Sequence, residues 1–234
     1  MKAMILAAGL GTRLKPFTDH HPKALAPVNG KTVLQRNIEY LQRHGIVDII
    51  VNVHHFADQI EKAINDANGR GSNLTISDER DEVLETGGGI LKAAWFLNDN
   101  EDFVVINADI LTDLDLSAMI AAHREHGSLA TLAVTTRKSS RALLFDKENE
   151  LCGWRNEKTG ETKGKTGKPM AFSGLQVLSP NIFKNIHFTG KFSIIDVYLE
   201  LCYKYMITAF DHSDGLFMDI GSPEKLAAAE KIFP

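Results

Sequence analysis

Apolar runs of strand length alternate with amphipathic helical segments over residues 1–135. Residues 2–7 have the composition of a buried strand, and Leu34, Ile38 and Leu41 recur at the spacing of one helix face, which Gly45 is placed to end. Further strands are predicted at 49–53, 74–77, 103–107 and 129–135, and further helices at 56–64, 90–96 and 116–126. This alternation predicts an α/β fold, a mostly parallel twisted sheet with helices on both faces.

The pattern changes after residue 135. Residues 142–146 and 150–155 flank a polar tripeptide, which predicts a β-hairpin. The stretch 156–168 contains four lysines and three glycines and predicts a mobile surface loop, with a rigid element as the alternative. A strand at 172–178, a helix at 194–205 and a final helix through Ile232, capped by Ser222, complete the pattern. Because neither a repeat nor a linker divides the chain, we expect residues 1–234 to form one domain.

The first predicted strand ends in a loop suited to a strongly anionic ligand. Gly9 and Gly11 free the backbone to curl, so that its amide groups can face an anion. Arg13 offers a planar fork for phosphate oxygens, and Lys23 offers a compact second cation. Simple chain reversal is the alternative for the glycines alone. With the two cations, the loop predicts a triphosphate site at the carboxyl edge of the sheet, where open α/β sheets bind ligands.

Charge and cysteine content restrict the partners. The net charge of -4 gives no basic field for nucleic acid, and no run approaches the roughly 20 apolar residues of a membrane span, so neither partner is expected. Cys152 and Cys202 fit neither a disulfide framework nor a zinc site, which favours a reducing cytoplasm. His54 and His55 point to opposite faces of an extended segment and are interpreted as structural or surface residues.

Two aspartates directly follow predicted strands. Asp109 follows the apolar run 103–106, and Asp219 follows 216–218. A cap or turn role is the alternative for each of them. Triphosphate chemistry requires a divalent cation, and Mg²⁺ is typically held by one or two carboxylates together with phosphates and waters. Asp113 and Asp115 lie nearby and are interpreted as turn and helix-start residues.

A second dense glycine cluster is Glu85-Thr86-Gly87-Gly88-Gly89. Consecutive glycines cost conformational entropy, so they indicate either a tight backbone path or the close approach of a ligand. The predicted helix would begin immediately behind them, which would place them at its N-terminus.

The first loop carries a family resemblance. The ordered string Leu6-Ala7-Ala8-Gly9, Gly11-Thr12-Arg13-Leu14, Pro22-Lys23, Leu25 and Pro27-Val28 resembles the signature of the sugar-1-phosphate nucleotidyltransferases. It lacks the Gly-Lys-Ser/Thr of Walker loops, and Leu14 stands where a dinucleotide-binding loop would have its third glycine. The resemblance covers residues 1–232 and implies a Rossmann-like nucleotidyltransferase fold. It also implies a reaction in which an NTP and a sugar 1-phosphate give an NDP-sugar and pyrophosphate. Residues 1–135 would mainly bind the nucleotide. Residues 136–234, which include a small β-hairpin part, would mainly bind the sugar phosphate.

The resemblance implies roles for single residues. Arg13 would hold the departing pyrophosphate and Lys23 would neutralise the α-phosphate, both as catalytic residues, while Asp109 and Asp219 would coordinate Mg²⁺. Ala108 departs from the glycine common in the family's metal-binding segment. The nucleotide would contact Leu6, Ala8, Gly9, Gly11, Thr12, Arg13, Lys23, Thr86, Gly87 and Gly88.

On the sugar side, the resemblance implies that Asn107, Gly174 and Asp196 contact the sugar phosphate. A bulge is the alternative for Gly174, and a helix cap is the alternative for Asp196. The Glu-Lys-Pro segment of many relatives is missing, and Lys163, Lys165 and Lys168 are equal candidates to replace its lysine.

The form of the second glycine cluster resembles the subset that includes N-acetylmuramate-1-phosphate uridylyltransferases, and the small size of the chain agrees with it. UTP and N-acetylmuramate 1-phosphate are therefore the expected substrates. The alternatives are guanylyl transfer to mannose or heptose 1-phosphate, cytidylyl transfer to a phosphorylated alcohol, and a non-catalytic nucleotide-sensing subunit. The sequence does not predict an oligomeric state.

Overall fold

The computed structural model describes residues 1–66 and 68–234. The strands are β1 (Lys2–Leu6), β2 (Pro27–Val28), β3 (Lys31–Thr32), β4 (Asp48–Val53), β5 (Asn73–Asp78), β6 (Phe103–Asn107), β7 (Ile110–Thr112), β8 (Ala130–Thr135), β9 (Arg141–Phe145), β10 (Leu151–Asn156), β11 (Thr162–Gly164), β12 (Lys168–Leu178), β13 (Ile207–Asp211) and β14 (Phe217–Asp219). The α-helices are α1 (Val33–Arg43), α2 (Ala57–Asp66), α3 (Glu85–Lys92), α4 (Ala94–Leu97), α5 (Leu116–His126), α6 (Ile194–Leu201) and α7 (Pro223–Ile232). Short 3₁₀ helices cover Thr12–Leu14, Phe17–Asp19, Lys23–Leu25, Asn68–Gly71 and Pro180–Lys184.

A central sheet in the order β5-β4-β1-β6-β12-β8-β13 confirms the predicted fold class. The pairs β5/β4, β4/β1, β1/β6 and β8/β13 are parallel, whereas β12 runs antiparallel to both β6 and β8. From β1 the chain runs outward through β4 to β5, then returns to β6 on the other side of β1. Such a reversal opens a crevice beyond the carboxyl ends of the strands, which makes the ends of β1 and β6 the expected place for a ligand.

Helices cover both faces of this sheet because neighbouring side chains of a strand point to opposite faces. Ala3 and Ile5 of β1 pack in a buried cluster with α1, α2 and α5. Met4 packs in a second cluster with α3, α4 and α6. No helix in the described part of the chain has the length and apolar content needed to cross a bilayer.

A smaller antiparallel sheet joins the central one through β12. Residues 168–170 of β12 pair with β9, and the β9/β10 hairpin is as predicted. The expectation of a loop over 156–168 is wrong for 162–164, which form β11 beside β10. Gly153 and Gly164 face each other in that pairing, and a Cβ at Gly153 would lie 2.6 Å from the carbonyl oxygen of Lys163. Because glycine has no side chain, the backbones of β10 and β11 can come this close. The pattern of polar and apolar residues does not predict such a pairing.

Helix bounds agree with the sequence where capping residues define them. α5 has the predicted limits, Asp115 accepts a hydrogen bond from the amide of Ala118 at 3.0 Å, and Gly127 ends the helix at φ 64°. The final helix begins after Ser222 as predicted.

Two predicted helices have different bounds. α6 ends at Leu201 instead of at residue 205. α3 begins at Glu85, so the three consecutive glycines lie inside a helix and not in a turn before it. Gly88 shows why glycine is tolerated there, because a Cβ would clash with the carbonyl oxygen of Gly190 and lie 2.9 Å from the Leu84 side chain.

Gly88→Ala tests this close approach. Alanine favours a helix, but the contact with backbone at Gly190 leaves no room for a methyl group. We expect the free energy of unfolding to fall by about 1–3 kcal/mol, measured by urea denaturation. Gly9→Ala is the matched control, since a Cβ at Gly9 would meet nothing within 4 Å. Equal free energies of unfolding for the two variants would contradict a close approach of the Gly190 backbone to Gly88.

Candidate active site

A cavity of about 370 Å³ opens at the carboxyl ends of β1 and β6. We call it the first cavity. Of the residues predicted to bind nucleotide, sugar phosphate or metal, the following line it: Leu6, Ala8, Gly9, Lys23, Thr86, Asn107 and Asp109. The structure thus brings together residues from the first loop, from α3 and from the end of β6.

A buried polar network fixes the end of β1 at this cavity. The amide of Ala7 donates to Asn52 Oδ1 at 2.6 Å, and Asn52 Nδ2 donates to Glu79 Oε1 at 2.8 Å. The second carboxylate oxygen of Glu79 accepts from the amide of Leu84 at 3.2 Å. His54 Nδ1 lies 2.7 Å from the Glu79 carbonyl oxygen, in keeping with the structural role expected of it. Sequence reasoning missed Asn52 and Glu79, although a polar residue inside the apolar run of β4 is a usable signal.

The first loop is folded back on itself behind Arg13. Gly11 has φ 63°, and a Cβ there would lie 2.9 Å from Thr18 Cγ2 and 3.0 Å from Lys23 Cβ. Glycine is therefore required at this turn. Leu14 is buried, whereas Thr12 and Arg13 are exposed.

Pairing of β14 with β7 brings the two predicted metal ligands together. Asp219 is in register with Ile110, and the amide of Ile220 donates to the carbonyl oxygen of Asp109 at 2.7 Å. Beneath this contact, Leu14, Leu111 and Ile220 belong to one small apolar cluster. Each of these three apolar residues directly follows a residue at the site: Leu14 follows Arg13, Leu111 follows Ile110, and Ile220 follows Asp219.

Each of the two aspartates is paired with a lysine. Lys23 Nζ donates to Asp109 Oδ2, and Lys225 Nζ donates to Asp219 Oδ2 at 2.5 Å. Burial favours the neutral form of Asp219, but the hydrogen bond and charge of Lys225, with the charges of Arg137 and Lys23, outweigh burial and lower its pKa. Asp219 is therefore ionised at neutral pH.

Two arginines stand near Asp219. A Cβ at Gly221 would lie 2.6 Å from Asp219 Oδ1 and 3.6 Å from Cζ of Arg13, so these two side chains flank the same glycine. Arg137 donates to the carbonyl oxygen of Phe172 at 2.8 Å, and its Cζ lies 4.9 Å from the centroid of the Phe217 ring. Sequence reasoning missed Arg137. Its position just beyond β8 is the signal that could have found it, since ligand-binding residues gather at strand ends.

In the second glycine cluster, Thr86 lies at the first cavity and the glycines that follow it pack against another segment of the chain. Thr86 lines the first cavity, and its hydroxyl oxygen accepts from the amide of Ile194 at 3.0 Å. The amides of Gly87 and Gly88 donate to the carbonyl oxygen of Phe192 at 2.9 and 3.3 Å. Those two glycines thus face the segment 190–194 and lie outside the cavity lining.

Glu85 is the other α3 residue at the cavity. It has φ 59°, a left-handed conformation that is rare for residues other than glycine, and its side chain lies 3.8 Å from Lys191 Nζ.

Gly174 lies at an irregularity of β12 and against Asn107. The register of β12 with β8 shifts between Phe172 and Gln176, and Gly174 has φ 76°, so the bulge alternative describes its backbone. A Cβ there would lie 2.5 Å from Asn107 Nδ2. Because Gly174 has no side chain, there is room for the side chain of Asn107 at the end of β6.

A second cavity of about 340 Å³ lies beside the first, and Ser193 lines both. Asp196 lines this second cavity and does not cap α6. The cap is Ser193, whose hydroxyl oxygen accepts a hydrogen bond from the amide of Ile195 at 3.2 Å. Among the three candidate lysines, Lys163 lines the cavity, whereas Lys168 lies 3.7 Å from Asp211.

Comparison with known proteins gives matches over most of the chain. A family model described as nucleotidyl transferase matches residues 2–145. The N-acetylmuramate alpha-1-phosphate uridylyltransferase of Caulobacter vibrioides is 31% identical over an alignment of 244 positions that covers 97% of this chain and 95% of that protein. The mannose-1-phosphate guanyltransferase beta-A of Xenopus laevis is 30% identical over 233 residues, and the match covers 96% of this chain but only 62% of that protein. The crystal structure of HddC from Yersinia pseudotuberculosis complexed with GMP-PN superposes with a TM-score of 0.80 at 29% identity, covering 100% of this chain and 99% of that one.

Asn52→Leu tests the network that fixes the end of β1. The change removes the acceptor for the amide of Ala7 and leaves Glu79 without its buried donor. We expect the free energy of unfolding to fall by about 1–3 kcal/mol. Asn65→Leu, on the exposed side of α2, should stay within about 0.5 kcal/mol of the wild type. Equal unfolding midpoints for both variants in urea would show that the network contributes nothing to stability.

Proposed function

The chain belongs to the nucleotidyl transferase family, and within it we propose transfer of a uridylyl group from UTP to N-acetylmuramate 1-phosphate, which yields the UDP-sugar and pyrophosphate. The observation that carries the proposal is the junction of Asp109 and Asp219 beside the first cavity, with Lys23 and Arg13 next to them. Two acids and two cations at one end of a nucleotide-sized cavity suit a reaction between two phosphates.

The length of the match supports this choice of substrates. This chain covers 95% of the Caulobacter uridylyltransferase but 62% of the Xenopus guanyltransferase. Guanylyl transfer to mannose or heptose 1-phosphate is the second candidate, because the HddC structure, matched over nearly its whole length, holds GMP-PN.

The reaction requires no general base from the protein. An oxygen of the sugar phosphate attacks the α-phosphorus of the nucleotide, and the bond from that phosphorus to the pyrophosphate breaks on the opposite side. The nucleophile is already an anion, so the main barrier to approach is repulsion between phosphates, which positioned cations reduce.

The side chains of the chain divide this task. Lys23 is mostly buried and carries three N–H donors, so it can hold Asp109 and still donate to an oxygen of the α-phosphate. Arg13 faces outward beside Gly221, where its planar fork can receive the departing pyrophosphate. Arg137 adds a fourth positive charge near Asp219, besides those of Lys23, Arg13 and Lys225.

Asp109 and Asp219 would hold a Mg²⁺ ion. The donor set fits, because Mg²⁺ is usually bound through one or two carboxylates, with phosphate oxygens and waters completing its shell, and Asp219 stays ionised. When bound, the ion would supply further neutralisation of phosphate charge.

A pyrophosphate-release assay with the four NTPs and a panel of sugar 1-phosphates tests the proposed function. We expect UTP with N-acetylmuramate 1-phosphate to give the highest kcat/KM. Preference for GTP with mannose or heptose 1-phosphate would favour the second candidate, and preference for CTP with a phosphorylated alcohol would contradict both. Absence of release from every pair would indicate a nucleotide-sensing subunit without catalysis.

Asp109→Asn tests the role of the acids. The amide keeps the shape of the side chain and removes its charge, so we expect kcat to fall by on the order of 10²-fold or more with little change in circular dichroism. Asp66→Asn, on the exposed end of α2, is the control and should keep full turnover. Near-normal turnover of Asp109→Asn at saturating magnesium would exclude Asp109 as a metal ligand.

A further inference from the structure

The second cavity has an uneven balance of charge. Its lining includes Arg141, Lys163 and Asp196. Lys163 Nζ lies 4.0 Å from Asp196 Oδ1, so these two charges compensate each other. The guanidinium of Arg141 has no carboxylate partner among residues 1–66 and 68–234. One positive charge in the cavity is therefore left without a counterion.

The backbone of Arg141 is held rigidly. Arg141 opens β9 and is in register with Asn156 of β10. The three residues that follow it are buried, so the strand is anchored directly behind the arginine. The backbone beneath this cation is thus fixed before a ligand binds, and only the exposed side chain of Arg141 has to be ordered on binding.

The second cavity is placed to receive the far end of a sugar. Ser193 lines both cavities, so a sugar whose phosphate lies at Asp109 can extend past Ser193 into the second. The volume of about 340 Å³ lies in the usual range for small-molecule sites. Trp154 supplies an apolar surface on one wall, with Lys163 Nζ 5.5 Å from the centroid of its ring.

We propose that the second cavity binds a carboxylate carried by the sugar and that Arg141 is the residue that receives it. This inference rests on the proposed function, because it takes the first cavity to hold the reacting phosphates. Guanidinium and carboxylate match as two planar forks and form paired hydrogen bonds, and the uncompensated charge of Arg141 gains the most from such a partner. Asp196 and Lys163, already compensating each other, are left to contact hydroxyl groups.

Matched sugar pairs test the inference. N-acetylmuramate 1-phosphate differs from N-acetylglucosamine 1-phosphate only in its lactyl ether, which bears a carboxylate, and glucuronate 1-phosphate differs from glucose 1-phosphate only in its carboxylate. We expect the wild type to favour the acidic member of at least one pair by roughly tenfold or more in kcat/KM. Arg141→Gln should abolish the preference by raising KM for the acidic sugar roughly tenfold, without changing kcat or the KM of its neutral partner.

Two further variants separate charge from fold. Arg141→Lys keeps the charge without the fork and should retain part of the preference. Lys147→Ala removes an exposed lysine from the turn of the same hairpin and should change nothing. A wild type without preference, or an Arg141→Gln variant that loses acidic and neutral sugars equally, would overturn the inference. Stronger use of glucose 1,6-bisphosphate than of either acidic sugar would assign the cavity to a phosphate instead.

Direct binding distinguishes failure of this inference from failure of the proposed function. If no sugar pair releases pyrophosphate with any NTP, the proposed function fails. Isothermal titration of the same sugar phosphates into wild type and Arg141→Gln, without nucleotide, still decides the question. A lower Kd for the acidic sugar that Arg141→Gln removes supports the carboxylate site, and equal Kd values within each pair contradict it.

Discussion

The short pairing between β7 and β14 is the contact on which the candidate active site depends. Asp109 lies just beyond the end of a central strand, whereas Asp219 comes from a late segment of the chain, and this ribbon makes them neighbours. The small cluster of Leu14, Leu111 and Ile220 beneath it contains a residue from the first loop as well. Apolar packing of the first loop, β7 and β14 thus places their charged side chains next to one another. Ion pairs near the surface are too weak to hold these segments together by themselves.

Electrostatic balance around these acids explains how the site can accept an anionic substrate. Two carboxylates alone would repel a triphosphate. Lys23 and Lys225 pair with them, and Arg13 and Arg137 stand close by, so cations outnumber acids at this end of the first cavity. Both lysines lie in partly buried surroundings, where attraction between opposite charges is screened less than at an open surface.

Much of this arrangement could be predicted from residue patterns, and the reasons for the rest are physical. The alternation of β1, α1 and β4 and the limits of α5 follow from apolar spacing and caps, which act within a few residues. The glycines of α3 and the pairing of Gly153 with Gly164 depend on where a distant backbone passes, and local sequence does not contain that information. The positions of the first loop, Asp109 and Asp219 followed from their places after strands. Arg137 follows a strand too, and its position just beyond β8 is the one signal for it in the sequence, but that position alone assigns it no charge partner. The roles assigned to these residues stay predictions.

β12 runs from the small antiparallel sheet into the central one. Its first residues pair with β9, and its later residues are hydrogen-bonded between β6 and β8, with Gly174 as the one irregularity. Residues 176–178 are paired on both edges, whereas residues 168–170 pair only with β9, residues 171–172 pair only with β8, and Gly174 lies at the shift in register between them and the central part. The sheet that carries Arg141 and the strand that precedes Asp109 are thus joined by one continuous strand, so any rotation of the small sheet against the central one would have to bend β12 near Gly174.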